Sequence, residues 1–246
     1  YKIFLYNSHF LAYTIIKMNI RADINKDTAS FIFDTLKKEI LDLTLKPGEE
    51  VSENMLTKRF NASRTPVRTA IQRLADMDLI DIAPYQYTKV SLIDYSIARQ
   101  MIFLRSVMEE RVISEFINKA DLFLIEDLEH ILRKQEILLS SSSFNASDFY
   151  NLDTAFHSLF FRDMNCLYIW NMIQDSVHYT RLRMLDIVEV KDFISIYEEH
   201  VKMLGIIKTM DKKDLPALLS AHLNGGVRRI HERSNGDYDK YFRNFK

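Results

Sequence analysis

Only five glycines and four prolines interrupt 246 residues. The turns of an all-β sandwich or barrel draw heavily on both, so a chain this poor in them must fold mainly into long helices. The same scarcity removes the Gly-rich loops that cradle phosphates, and no Gly-x-Gly-x-x-Gly or Walker-type run occurs. Lys and Arg total 33 against 34 Asp and Glu, a balance that excludes a polyelectrolyte tail or a uniformly basic coat for nucleic acid. The single cysteine, Cys166, allows no disulfide framework or cysteine zinc cluster within one chain and fits a reducing, cytoplasmic setting. It reads as a small buried apolar residue, because no motif activates it. No apolar run approaches the ~20 residues a spanning helix needs, so no membrane partner is expected. Residues 1–20 are apolar but broken by Asn7, Ser8 and His9, and the first methionine is Met18. They are read as a non-native or extended leader and set aside from the fold.

Prolines divide what remains. Pro47, Pro66 and Pro84 punctuate residues 21–92, whereas residues 93–246 contain only Pro216. In the first part Asp27-Thr28 can cap a helix carrying Phe31, Ile32, Leu36, Ile40 and Leu43, which Pro47-Gly48 then ends. Ser52 opens a short second helix with Met55, Leu56 and Phe60 inward. Ser63 caps a third, whose Val67, Ala70, Ile71 and Leu74 form one stripe and whose Pro66 sits in the first turn, where a missing N–H costs little. Residues 79–82 and 88–92 alternate like two strands joined by Pro84-Tyr85-Gln86-Tyr87. The second part reads as an antiparallel bundle of about six helices, at 93–118, 121–140, 147–163, 167–188, 192–209 and 211–234, with the serines 140–143 as a loop. Phe156, Phe160, Phe161, Tyr168 and Trp170 read as its core. Met101, Leu104 and Met108 line either the core or a dimer contact.

Charge is concentrated locally. From Asn54 to Ala75 there are five cations (Lys58, Arg59, Arg64, Arg68, Arg73) and no acid. The third helix bears Arg64, Thr65, Arg68, Gln72 and Arg73, with arginines one turn apart projecting from its N-terminal half and Ser63 at its N-terminus. Such a helix end can enter a major groove, where Arg grips guanine edges or phosphate. Lys89, beside the hairpin turn, could reach an adjacent phosphate. The plain alternative is a solvated basic face. The strings from Leu45-Lys46-Pro47-Gly48 to Leu56, and from Ala62-Ser63-Arg64-Thr65-Pro66-Val67-Arg68 to Leu74, closely resemble the winged helix-turn-helix domain of GntR-family transcriptional regulators. The resemblance covers residues 28–92 and implies a mainly α fold with a small β-hairpin wing, double-stranded DNA as partner, and base or phosphate contacts at Arg64, Thr65 and Arg68. There are departures: Asn54 and Asp78 replace a longer polar residue and a glycine, and the wing tip lacks glycine.

Asp153 and His157, four apart, share a helix face; His200 and His222 follow on two later helices. A bundle can converge such residues on a metal with positions left open, although scattered histidines are more often ordinary polar residues, as His9, His130 and His231 are read here. Residues 95–234 are similar to the all-helical FCD effector domain of the FadR-like branch. Its signposts fall in order at Arg105-x-x-x-Glu109, Leu152-Asp153-x-x-Phe156-His157, Asn165, Glu199-His200 and Ala221-His222-Leu223. The resemblance implies that Asp153, His157, His200 and His222 ligate a divalent ion, Zn²⁺ first for its imidazole preference, with Ni²⁺ or Mn²⁺ as alternatives. A small carboxylate effector would then bind the ion, helped by Arg105, unless Arg105 only pairs with Glu109. His178 and either Arg181 or Arg183 are further candidates, Arg181 being placed first. The function implied is a ligand-responsive repressor that binds a palindromic operator as a homodimer. The alternatives are a metal-dependent hydrolase built on the Asp/His cluster and a regulator whose metal is purely structural.

Overall fold

The computed structural model describes residues 27–186, 190–233 and 238–245. The chain divides into two compact units, 1–92 and 93–246, and is mainly helical. The leader reading of residues 1–20 lies outside the described residues.

The first unit is a winged helix-turn-helix: α1 (27–41), α2 (Glu53–Arg59), α3 (Arg64–Asp76), then β1 (Ile80–Ala83) and β2 (Tyr87–Val90). Ala29, Ile32, Phe33, Leu36 and Ile40 form the buried stripe of α1. Phe31, expected inside, is one position off that stripe and 65% exposed, its ring edge resting on Phe60. Met55 departs for the same reason; Leu56 alone is fully buried on α2. Ser52 caps α2 by accepting the Met55 N–H at 3.2 Å. Ser63 occupies the equivalent position before α3 but makes no side-chain cap bond. Three residues on stands Pro66, which lacks the N–H that such a hydroxyl would accept. β1 and β2 pair antiparallel from Ile80↔Val90 to Ala83↔Tyr87. Their turn closes through Gln86 N–H to the Ala83 carbonyl at 3.0 Å. Tyr85 there carries the positive φ (63°) that glycine would take more cheaply.

The second unit contains β3 (Ile93–Asp94), α4 (Tyr95–Ile117), α5 (Leu122–Leu139), α6 (Ala146–Asp163), α7 (Leu167–Gln174), α8 (Val177–Asp186), α9 (Val190–Thr209), α10 (Leu215–Arg233) and β4 (Phe242–Arg243). The helix expected over 167–188 is two. Thr180 Oγ1 donates to the Gln174 carbonyl (3.2 Å), so a side chain satisfies a group a continuous helix would have paired with a backbone N–H, and the Thr180 N–H bond to the Ser176 carbonyl opens the next helix. A short 3₁₀ turn, Lys212–Asp214, precedes α10, which therefore starts later than expected, with Pro216 in its first turn. The parallel pairing of β3 with β4 was not visible in the sequence.

Phe116, Phe156, Phe160, Phe161, Trp170 and Met203 centre one core cluster, with Met108 packed against it. Tyr95, Ile102, Ile173, Tyr179, Leu182 and Phe242 centre another, flanked by Met101 and Leu104. Tyr168, expected in the core, is 78% exposed, and Cys166 is only half-buried, its thiol near the Met164 carbonyl. Among the described residues no helix is long and apolar enough to cross a membrane.

Candidate metal centre and nucleic-acid interface

The register that buries Val67, Ala70, Ile71 and Leu74 turns Arg64, Thr65 and Arg68 outward on the N-terminal half of α3, with Ser63 exposed before them. Arg68 Nε donates to Glu53 Oε1 at 2.7 Å, and Arg64 Nη2 lies 3.5 Å from Asn54 Oδ1, so α2 holds both guanidinium groups at the surface. Arg73 is turned away from that face. It reaches back to Ser30 Oγ (3.3 Å) and lies 3.9 Å above the Phe33 ring, a packing role on α1. Lys89 sits on β2, 3.5 Å from Glu50 Oε1 and 4.8 Å above the Tyr87 ring.

In the second unit, α6 supplies Asp153 and His157, α9 supplies His200 and α10 supplies His222. All four are buried, with one ligand-type atom of each lying within 4.8 Å of the others. His157 Nε2 is 3.2 Å from His222 Nε2, while Asp153 Oδ1 is 3.6 Å from His200 Nε2 and 3.9 Å from His157 Nε2. Donor atoms bound to one ion at about 2.0–2.2 Å stand roughly 3–4 Å apart, so these residues fit a shared metal.

The outward ring atoms carry the stronger argument. His157 Nδ1 is 2.9 Å from Glu109 Oε2, in poor alignment for a hydrogen bond; His200 Nδ1 is 3.1 Å from Gln135 Oε1; His222 Nδ1 is 2.7 Å from Glu199 Oε2. Acceptors there favour a proton on Nδ1 and leave each Nε2 lone pair for the centre, the arrangement metal-ligating histidines use. His200 Nε2 has no hydrogen-bond partner although its side chain is fully buried. Such a group costs about 1–3 kcal/mol unless something binds it.

Charged neighbours complete the setting. Arg183 pairs with Asp153 Oδ2, lies over the Tyr150 ring, and accepts the Tyr150 hydroxyl on its own carbonyl. Arg105 is held by both Glu109 and the Tyr179 hydroxyl. Burial opposes ionisation of Asp153, but Arg183 and the imidazoles outweigh it and hold the carboxyl well below its usual range. Glu109 is likewise buried, yet Arg105 and His157 draw its pKa down to about 2. Burial lowers His157 despite Glu109, and burial together with His222 lowers His200 further, so both rings stay neutral and able to ligate.

A cavity of about 40 Å³ adjoins this cluster, lined by Asp153, His222, Arg105, Arg183 and Arg229, with Ile102, Leu182, Ile196 and Leu223 as apolar wall. Arg229 grips Asp186 with both Nε (2.8 Å) and Nη2 (2.6 Å). The pair crosses Gly226, where any Cβ would come within 2.7 Å of Asp186 Oδ2. His178 and Arg181, expected at an effector, are not among the lining residues. His178 Nδ1 accepts the Asp94 N–H at 3.0 Å and faces Arg181 Nη2 at 3.1 Å. Positions 181 and 183 lie about 200° apart around a helix, so only one can face the cavity, and it is Arg183. Of the remaining histidines, His231 bonds the Tyr95 hydroxyl (2.7 Å), His130 is exposed, and His9 lies outside the described residues.

Residues 28–90 match the family of bacterial regulatory proteins, gntR family, and residues 100–225 match the FCD domain. The chain belongs to the GntR family, in its FCD-bearing branch. As a member it is a transcriptional regulator and not an enzyme, which removes the hydrolase alternative. The HTH-type transcriptional repressor RspR of Escherichia coli (strain K12) is 26% identical over 208 residues, covering 83% of this chain and 90% of that protein. The gluconate operon transcriptional repressor of Bacillus licheniformis is 29% identical over 196 residues, covering 77% and 78%. Two solved structures share the fold. E. coli McbR/YncC superposes with a TM-score of 0.62 at 18% identity, covering 85% of this chain and 99% of its own. Lar of Listeria monocytogenes gives 0.57 at 13% identity, covering 84% and 97%. Within this GntR regulator the FCD match takes in Arg105 and all four cluster residues, and the gntR match takes in the exposed face of α3.

Proposed function

We propose that this regulator represses transcription by binding a palindromic operator as a homodimer, and that a small carboxylate held at a divalent metal in the FCD domain modulates that binding. The observation that carries the effector half is the unpartnered Nε2 of His200, fully buried in a ring of oriented imidazoles. Asp153, His157, His200 and His222 hold the ion. Three nitrogens and one oxygen suit Zn²⁺ first, with Ni²⁺ or Mn²⁺ as alternatives. The ion, when bound, supplies open Lewis-acidic positions for a carboxylate oxygen.

Charge supports an anionic ligand. Glu109, Asp153, Asp186 and Glu199 around the cluster and cavity face three guanidinium groups, those of Arg105, Arg183 and Arg229. A divalent cation would add two positive charges beside these guanidinium groups and favour an anion at its open positions. The cavity of about 40 Å³ has room for only a few waters, so the ligand is small. Arg105, Arg183 and Arg229 are the cations that line it. Glu109 and Tyr179 hold Arg105 through Nε and Nη1, which leaves its buried, unpartnered Nη2 to donate to the ligand.

On the DNA side, Arg64, Thr65 and Arg68 read or hold the major groove, with Ser63 at the helix end beside a phosphate. Arg73 supports α3 from behind, and Lys89 steadies the wing. Two such heads related by a twofold axis require a palindromic site, hence the homodimer. The relatives named as repressors support the sign of regulation. The test is metal content per chain on protein purified without a histidine tag, alongside His200→Ala, followed by operator titration with and without the ion. One ion per chain, lost in the variant, supports the reading. A chain that takes up no ion on reloading sinks it. An ion that stabilises the fold without altering any response to small carboxylates makes the metal structural.

A further inference from the structure

The described contacts of α8 run in two directions. Toward the centre, Arg183 pairs with the candidate ligand Asp153, and the Tyr179 hydroxyl holds Arg105, which in turn holds the Glu109 that faces His157. On another face, His178 accepts the backbone N–H of Asp94 at 3.0 Å. Arg181, also on α8, approaches the same ring nitrogen at 3.1 Å. Two donors converging on Nδ1 make it an acceptor, so the ring proton belongs on Nε2.

Asp94 is no ordinary neighbour. It lies two residues after Leu92, where the first compact unit ends, and it forms the short strand β3 with Ile93. Its side chain caps α4 by accepting the Ile97 N–H at 3.2 Å. The other carboxylate oxygen receives Arg243 Nε at 3.1 Å and Asn244 Nδ2 at 3.3 Å from the C-terminal segment, whose Phe242–Arg243 pairs with β3. Phe242 and Phe245 stack near Tyr95 beneath it. The junction strand is therefore clamped by its own tail, and the His178 bond makes α8, beside α4 and α10, an element that reaches from this strand to the metal cluster. A ten-residue helix packed on both sides moves as a body.

We propose that α8 is the coupling element of the FCD domain: a change of occupancy at the Asp153 cluster shifts Arg183 and Tyr179, and the His178–Asp94 hydrogen bond passes that shift to the segment joining the two units. This rests on the metal reading above. It gives His178 a transmitting role outside the cavity, and one that neither ligates nor touches the effector. A contiguous chain of hydrogen bonds and rigid elements can carry coupling of this kind, and this chain of contacts is short.

The test is amide hydrogen exchange on the full chain, zinc-loaded against chelator-treated, with zinc content measured in parallel. In the wild type, chelation is expected to speed exchange at least fivefold both in 177–186 and in 93–97. His178→Ala is expected to bind zinc within threefold of wild type, to keep the response in 177–186 and to lose it in 93–97. His178→Gln, which retains an acceptor, restores the response and serves if the alanine variant unfolds. A response in 93–97 that survives His178→Ala overturns the proposal, as does a wild type that binds zinc without any response there. A wild type that binds no zinc fails the metal reading itself, and the content measurement tells these cases apart.

Discussion

Gln135 offers the sharpest separation between holding a metal and holding a fold. It is fully buried on α5, its Oε1 is 3.1 Å from His200 Nδ1, and its own Nε2 is unpaired. Gln135→Leu removes the acceptor that keeps the His200 proton on Nδ1. It leaves that N–H unsatisfied, at a cost of about 1–3 kcal/mol, but also deletes a buried unpaired amide N–H of similar cost and adds apolar packing. The two terms oppose, so the metal-free protein is expected to unfold within about 1 kcal/mol of wild type. Metal affinity has no such compensation. Once the acceptor is gone, the imidazole can take the tautomer with its proton on Nε2, facing the centre, and must give that up to ligate. Loss of an orienting partner typically weakens binding by about 10–100-fold, or roughly 1.4–2.7 kcal/mol. Competition against a chromophoric zinc chelator reads the affinity, and urea unfolding in excess chelator reads the stability. Gln135→Glu, which keeps an acceptor, is expected to bind at least as tightly as wild type. Affinity within threefold of wild type in Gln135→Leu, with His200→Ala still abolishing binding, would refute the idea that the outer acceptor prepares this ring.

Other expectations follow from the same geometry. Arg64→Ala and Arg68→Ala should each weaken operator binding about tenfold or more, and the salt dependence should flatten by about 0.9 in slope for every phosphate left without its arginine. Arg73→Ala, whose guanidinium lies on Phe33, should change operator affinity less than threefold while lowering stability; fluorescence anisotropy across a salt series distinguishes the three. The metal-free protein should lose stability on acidification. Burial holds the folded pKa of His157 and His200 below the 6.5 of the unfolded chain, so stability is full above about pH 7. As pH falls through 6.5 the unfolded chain gains protons the folded one refuses, a slope of up to about 2.7 kcal/mol per pH unit for two such groups. A flat profile between pH 7 and 5.5 would contradict that ionisation pattern. Tyr85→Asn should stabilise the protein by about 0.5–1 kcal/mol in chemical denaturation, because a fully exposed Tyr85 loses no packing and asparagine tolerates a φ of 63° better.

What could be read from the chain alone was whatever depends on neighbours in sequence. The outward face of α3 follows from a stripe that Val67, Ala70, Ile71 and Leu74 repeat at helical spacing, and once that stripe is buried Arg64 and Arg68 have nowhere else to point. Arg73, nine positions after Arg64, points to the opposite side of the helix; its role was set by Phe33, forty residues earlier, and no periodicity reports a cation resting on a distant ring. The Ser63 cap failed on one atom, the N–H that Pro66 lacks. The four cluster residues were legible only through family resemblance, since spacing ties Asp153 to His157 and nothing local ties either to His200 or His222. Their supports were not legible at all. Gln135 sits 65 residues from the ring it orients, on a helix whose other polar positions look the same, and Glu199 adjoins His200 but serves His222.

The choice between Arg181 and Arg183 shows where such reading stops and why the stop has functional weight. Both arginines lie on α8, two positions apart, and either would satisfy a rule that a carboxylate ligand wants a nearby guanidinium. Helix geometry forces them to opposite faces without saying which face is inward. The decision comes from Leu182 and Tyr179, whose burial sets the rotation of α8 and delivers Arg183 to Asp153 and Arg181 to His178. A helix with one arginine at the candidate ligand and, on another face, the other beside the contact to Asp94 cannot rotate or slide at one contact alone. Arg181, expected from sequence at the effector, is thus informative where the structure places it: with His178 it belongs to a different face of the same rigid element from Arg183, which lines the cavity.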